Sequence, residues 1–155
     1  MEIERKFLVK KLPDNLDSYS YHDIEQGYLC TDPVVRIRRQ DDDYILTFKG
    51  SGFISREEYN LPLTEDGYYH LKEKADGRVI EKRRYVIPIY GTDLAVELDI
   101  FGGELSPLVL AEVEFPDEKT ARDFTPLDWF DKDVSLDGRY HNSTMSRPDY
   151  VIPQP

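Results

Sequence analysis

Through most of this chain, apolar and charged residues alternate in steps of two, and on the charged side the same sign recurs. Side chains of an extended strand point alternately to its two faces, so residues two apart share a face at a spacing of about 6.6 to 6.8 Å. At the start of the chain Glu2, Glu4 and Lys6 share one face, with Ile3 and Phe7 on the other. Arg36 and Arg38 stand opposite Val35 and Ile37, Glu97 and Asp99 opposite Val96 and Leu98, and Glu112 and Glu114 opposite Val113 and Phe115. Lys82 and Arg84 form a further doublet, and Lys49 ends a stretch whose other face carries Leu46 and Phe48. Turn sequences such as Asp41-Asp42-Asp43, Lys49-Gly50-Ser51-Gly52, Tyr90-Gly91-Thr92-Asp93 and Phe101-Gly102-Gly103 separate these stretches, as in an antiparallel meander. The pattern predicts strands over Glu2 to Val9, Ile24 to Cys30, Val34 to Arg39, Tyr44 to Lys49, Arg56 to Leu63, Val79 to Ile89, Leu94 to Ile100 and Leu108 to Phe115. Two helices interrupt it. Thr64 to Lys74 has a threonine cap, acids in its first turn and lysines in its last, and Asp117 to Phe124 lies between Pro116 and Pro126.

A single half-charged strand is ordinarily the solvated side of a β-sandwich. Doubled like charge in strand after strand disfavours that reading, because a solvated face intersperses signs and neighbouring like charges repel. Turned inward, the charged faces give a closed barrel with a polar interior and an apolar exterior. Outer-membrane barrels share that polarity but need strands of about 9 to 11 residues and a secretion signal. Most of the strands here are shorter, and Met1-Glu2-Ile3-Glu4-Arg5-Lys6 is no apolar leader. The apolar outside must then be covered by the chain itself. The two helices can do this, together with Leu127 to Pro155, an aperiodic segment with Trp129, Phe130 and Tyr140 that is expected to wrap the surface. The expected fold is therefore α+β and β-dominated: an antiparallel closed barrel of eight strands with a charged interior and helices packed outside, formed as one domain over residues 1–155.

With 20 Lys and Arg against 31 Asp and Glu, the net charge is −11, which disfavours nucleic acid as a partner because phosphate affinity needs a positive surface. No apolar run is long enough for a membrane helix, the lone Cys30 excludes an intramolecular disulfide, and a cytoplasmic location is expected. A homodimer is left open. Two carboxylates one strand repeat apart can converge on a divalent cation, and paired Arg or Lys side chains can hold neighbouring phosphates. Acidic and basic faces brought together suit a metal-bound polyphosphate. The histidines His22, His70 and His141 lie outside the charged strands and read as surface or helper residues, and Cys30 has no activating partner in the sequence.

The opening Glu2-x-Glu4-x-Lys6 resembles the signature of the CYTH, or triphosphate tunnel metalloenzyme, superfamily. The motifs that follow resemble it in their order: Glu25-Gln26-Gly27-Tyr28-Leu29, Val35-Arg36-Ile37-Arg38, Leu46-Thr47-Phe48-Lys49, Arg56-Glu57-Glu58, Glu81-Lys82-x-Arg84-Tyr85, Glu97-x-Asp99, Ala111-Glu112-Val113-Glu114-Phe115 and Asp137-Gly138-Arg139-Tyr140-x-Asn142. The resemblance implies a tunnel that binds a triphosphate with Mg²⁺ or Mn²⁺. It implies that Glu2, Glu4, Glu112 and Glu114 hold metal, with Glu97 and Asp99 as further metal-side acids, and that Lys6, Arg36, Arg38, Lys49, Lys82 and Arg84 bind phosphates. Lys6, Lys82 and Glu58 are the implied catalytic residues, with Glu58 rather than Glu57 facing inward. The 64–74 helix resembles a plug near one mouth, in which Lys72 and Lys74 read as ordinary last-turn charges. The function this implies is hydrolysis of tripolyphosphate to pyrophosphate and phosphate. A nucleoside or thiamine triphosphatase, a class IV adenylyl cyclase and a non-catalytic polyphosphate-binding module are the alternatives.

Overall fold

Each stretch of period-two alternation forms a strand in the computed structural model, which describes residues 1–154; Pro155, the last residue of the expected domain, lies outside the described residues. The strands are β1 (Glu2–Val9), β2 (Ser20–Thr31), β3 (Val34–Gln40), β4 (Asp43–Lys49), β5 (Ser55–Arg56), β6 (Glu58–Pro62), β7 (Asp76–Pro88), β8 (Ala95–Phe101), β9 (Val109–Glu114) and β10 (Phe130–Asp133). The helices are α1 (Glu65–Lys72), α2 (Glu118–Asp123) and α3 (Asn142–Met145). Thr64 and Asp117 cap α1 and α2 by accepting from the Gly67 and Thr120 amides at 3.0 and 2.7 Å, which satisfies an otherwise orphaned donor in each first turn.

The antiparallel sheet runs β10-β1-β9-β8-β7-β2-β3-β4-β6. It closes through an element the sequence reading treated as one strand. The expected Arg56 to Leu63 strand is broken at Glu57, so that β6 stays on β4 while β5 crosses to β1, pairing Glu2 with Arg56 and Ile3 with Ser55. Residues flanking β5 and β10 satisfy the rest of that edge of β1. The Glu4 amide donates to the Ile54 carbonyl at 3.1 Å, the Lys6 amide to Ser135 Oγ at 3.0 Å, and the Val134 amide to the Lys6 carbonyl at 2.9 Å. β10 then pairs with Phe7 and Val9.

The 127–155 segment does more than wrap the surface. Its Trp129 and Phe130 do cover the outside, packing with α2 and Phe124 on Phe7, Leu98, Val113 and Phe115. Neither β10 nor α3 was expected, however, and Val134, Tyr140 and Met145 are buried against Tyr28, Val34, Ile80, Phe101 and Leu110. By register those five share the inward face with the charged residues: Leu110 is two residues from Glu112, Phe101 two from Asp99 and Ile80 two from Lys82. The interior is thus charged over part of its length and apolar at one end, where the C-terminal segment forms a floor. Gly77 (φ 69°) lets that segment approach β7: a Cβ there would collide with the Ser146 carbonyl, which instead accepts from the Arg78 amide at 2.7 Å.

On the outside, α1 buries Tyr68 beside Tyr44, with ring centroids 5.3 Å apart, while Lys72 pairs with Glu25 at 2.9 Å. Phe48, expected beneath a helix, is only half-buried and lies tilted against the exposed Tyr59 at 6.2 Å, while α1 packs its aromatics on Tyr44 at the start of β4. No helix among the described residues is long and apolar enough to cross a membrane. The packing makes a stability contrast. Phe7→Ala, which empties a fully buried site, is expected to cost about 3–5 kcal/mol, whereas Phe48→Ala should cost no more than about 1 kcal/mol. Urea denaturation of both variants measures this, and equal losses would contradict the arrangement.

Candidate functional site

The inward charged faces enclose a cavity of about 230 Å³. Lys6, Arg36, Arg38, Lys49, Lys82 and Arg84 line it, as do Glu2, Glu4, Glu58, Glu97, Glu112 and Glu114. Asp99 does not: it is fully buried beneath the lining, and both its oxygens are already engaged. Arg56, Gln40, Tyr28, Ser135, His141, Asn142 and Ser143 also line the cavity and were not assigned to it from sequence. Period alone marks Arg56 and Gln40, which share faces with Glu58 and Arg38. Ser135 and His141 to Ser143 sit in aperiodic chain and gave no such signal.

The central charges neutralise one another. Arg84 donates to Asp99 through Nε and Nη2 at 2.7 and 2.8 Å, to Glu97 at 3.1 Å and to Glu112 at 3.3 Å. Lys82 pairs with Asp99 at 2.8 Å, Lys6 with Glu112 at 3.4 Å, and Lys49 with Glu2 at 2.8 Å and Glu58 at 4.0 Å. Burial works to raise Glu112, but Lys6, Arg84 and Lys82 hold it far below the usual carboxylate range. Burial pushes the Lys82 ammonium down to about 7 against the pull of Asp99. Burial, with the Glu58 and Glu4 carboxylates beside it, raises Glu2 to about 8, while Glu2, Asn60 and Lys49 around Glu58 lower that carboxyl to about 2.

Two walls are left uncompensated. On β3, Arg36 donates to Thr47 Oγ1 at 3.2 Å and Arg38 to Gln26 Oε1 at 2.9 and 2.8 Å, and neither meets a carboxylate among the described residues. The buried Arg36 Nε has no partner at all. Burial beside Arg36 and Arg84 pushes Arg38 down to about 9. On β1 and β9, Glu4 and Glu114 face each other in register and form no ion pair among the described residues. Burial, with Glu112 near Glu4 and with Glu97 and Glu58 near Glu114, raises both above the ordinary value. Charge held out of water without a partner is costly, so Arg36, Arg38 and Glu4 are set for ions of opposite sign, with the exposed Glu114 beside Glu4 at the rim. The donor set on the acidic wall is all carboxylate oxygen, which suits a hard divalent cation. No three carboxylates gather closely enough among the described residues to cage a metal by themselves, which fits an ion held by one or two carboxylates together with phosphate oxygens.

Residues 1–146 match the family model of the CYTH domain. The chain belongs to the CYTH family. Its relatives include an inorganic triphosphatase of Nitrosomonas europaea, 40% identical over 148 residues that cover 94% of this chain and 96% of that one. An inorganic triphosphatase of Acetivibrio thermocellus is 37% identical over 155 residues, covering 96% and 95%. The crystal structure of the inorganic triphosphatase NE1496 superposes on this CYTH domain with a TM-score of 0.72 at 37% identity, covering 99% of this chain and 97% of that one. A Bacillus halodurans chain with 16% identity shares the fold at a TM-score of 0.56.

His141 supplies a pH test of the cavity. Burial, with Lys6, Arg56 and Lys49 nearby, lowers its imidazole from 6.5 to about 4, and its ring packs on Phe53 at 5.1 Å. Between those values the unfolded chain binds a proton that the folded chain does not. This contribution to stability is therefore intact above pH 6.5 and is lost as pH falls toward 4. An NMR titration should place the His141 midpoint near 4, and His141→Gln should make the acid-side loss of stability shallower. A midpoint near 6.5 would mean a solvated ring.

Proposed function

We infer that this CYTH domain hydrolyses inorganic triphosphate to pyrophosphate and phosphate with a divalent metal, Mg²⁺ or Mn²⁺. The observation that carries the reading is the pair of uncompensated walls: Arg36 and Arg38, without carboxylates, and Glu4 and Glu114, without cations, in one cavity. A metal-bound polyphosphate has both complements. The curated relatives, named inorganic triphosphatases and matching nearly end to end, support the same substrate.

In this reading Arg36 and Arg38 take phosphate oxygens through free guanidinium donors, and Lys6 and Lys82 hold the chain from the floor side. Their charge offsets the negative charge that grows on the leaving pyrophosphate as water adds to the terminal phosphorus and the bridging P–O bond breaks. Of the acids expected to hold metal, Glu4 and Glu114 would do so together with phosphate oxygens, while Glu2, Glu97 and Glu112, already paired with Lys49, Arg84 and Lys6, would support them and Glu58 completes the acidic wall. The metal, when bound, withdraws charge from the phosphates and makes a coordinated water more acidic. Asp99 fits a different task from the metal ligation first expected of it, since it already holds Arg84 and Lys82. Residues 1–155 act as one domain on a small molecule, and the net charge of −11 disfavours a nucleic-acid partner.

Phosphate release from tripolyphosphate should disappear in excess chelator and return with Mg²⁺ or Mn²⁺. Glu4→Gln, Glu114→Gln and Arg38→Ala should each lower kcat/KM at least about tenfold, a loss of around 1.4 kcal/mol of transition-state stabilisation. Tripolyphosphate should outperform ATP in kcat/KM under matched metal. Full turnover in chelator, wild-type rates in all three variants, or ATP as the better substrate would overturn the reading.

A further inference from the structure

Gln26, fully buried on β2, lies between two of the cavity's cations. Its Oε1 accepts from Nε and Nη2 of Arg38 at 2.9 and 2.8 Å, and its Nε2 donates to Asn142 Oδ1 at 3.0 Å. Lys82 Nζ donates to the same Asn142 oxygen at 3.2 Å. Guanidinium and ammonium groups only donate. With one at each end of the chain of bonds, both amides are fixed: Gln26 must turn its oxygen to Arg38, and Asn142 must turn its oxygen to Lys82 and Gln26. Asn142 opens α3 in the segment that floors the barrel, so the seating of that segment and the aim of Arg38 belong to one network.

The chemistry of the acceptor matters here. A carboxylate at position 26 would grip Arg38 more strongly, and it would also cancel its charge, as Asp99 does for Arg84 on the neighbouring β7. An amide satisfies the same donors and leaves the charge to be met by something else. We propose that Gln26 and Asn142 form a neutral brace that orients Arg38 while leaving its charge to the phosphate chain, making Gln26 a positioning residue that sets affinity for the triphosphate. The proposal rests on the triphosphate reading of the cavity.

Gln26→Glu keeps the side-chain size and the acceptor facing Arg38 but adds the cancelling charge. Steady-state kinetics on tripolyphosphate under Mg²⁺ should show KM raised at least about tenfold with kcat changed less than about threefold, and a melting temperature no lower than wild type. A merely structural glutamine would give the opposite, a lower melting temperature and an unchanged KM. In an Arg38→Ala background the same substitution should change KM less than about twofold, because its effect passes through Arg38. A wild-type KM in Gln26→Glu, or an equal penalty in both backgrounds, overturns the brace. Should Gln26→Glu fold poorly, Asn142→Asp places the charge at the other end of the network and should raise KM at least about tenfold. A wild-type KM there would also overturn the brace. Calorimetric binding of tripolyphosphate separates this proposal from the activity. If the wild type binds without turnover and Gln26→Glu weakens binding tenfold, the brace stands and the enzyme reading falls; if the wild type binds none, both fall.

Discussion

Asp99 accepts two hydrogen bonds from Arg84 and an ion pair from Lys82 while wholly out of contact with water. The polar interior depends on this arrangement. A closed barrel lined by lysines and arginines would be driven apart by its own charge, and a fully neutralised one would have nothing left with which to hold an anion. Asp99 divides the problem by cancelling charge on β7, deep in the wall, and leaving β3 positive. Removing one partner of a buried pair is far more damaging than replacing the whole, so this carboxylate is tied to its two cations as a unit.

Polarity inside obliges the chain to find apolar cover outside, and the cover is uneven. α2 and the 124–130 segment bury one side of the barrel, α1 buries another, and the outer face of β4 and β6 keeps Tyr59 and Leu61 more than half in solvent and Phe48 only partly covered. Closure is equally economical. β1 has one long partner in β9, while its other edge is satisfied piecemeal by β5, Ile54, Ser135, Val134 and β10. Segments distant in sequence thus meet along one strand, which brings the floor residues to the cavity.

What could be read from sequence follows from what period two encodes. Alternation assigns a face, and each cavity-lining charge on β1, β3, β4, β7, β8 and β9 was placed by face alone. Depth along the barrel is not encoded. Glu97 and Asp99 look equivalent as a doublet, yet Glu97 reaches the rim, its side chain 32% exposed, while Asp99 is sealed. The break at Glu57 was hidden because alternation continues through it, and only competition between β4 and β1 for pairing divides the strand. Residues 127–155 lack period, so β10, α3 and the cavity roles of Ser135 and His141 had no local signal. Gln26 stands inside the Glu25-Gln26-Gly27-Tyr28-Leu29 motif, but its importance arises from Arg38 and Asn142, which only the fold brings to it.

The floor built from Tyr28, Ile80, Phe101, Leu110, Tyr140 and Met145 makes the barrel a socket rather than a through-passage. A polyphosphate entering at the rim, where Glu114 is exposed and Glu97 partly so, meets hydrocarbon at the far end, which offers its last phosphate no replacement for lost water. The chain can advance only as far as the charged lining extends, and its products must leave by the way the substrate came. Depth then works as a ruler. A longer chain leaves surplus units in solvent, beyond the reach of Arg36 and Arg38, and a shorter one leaves part of that positive wall unmet.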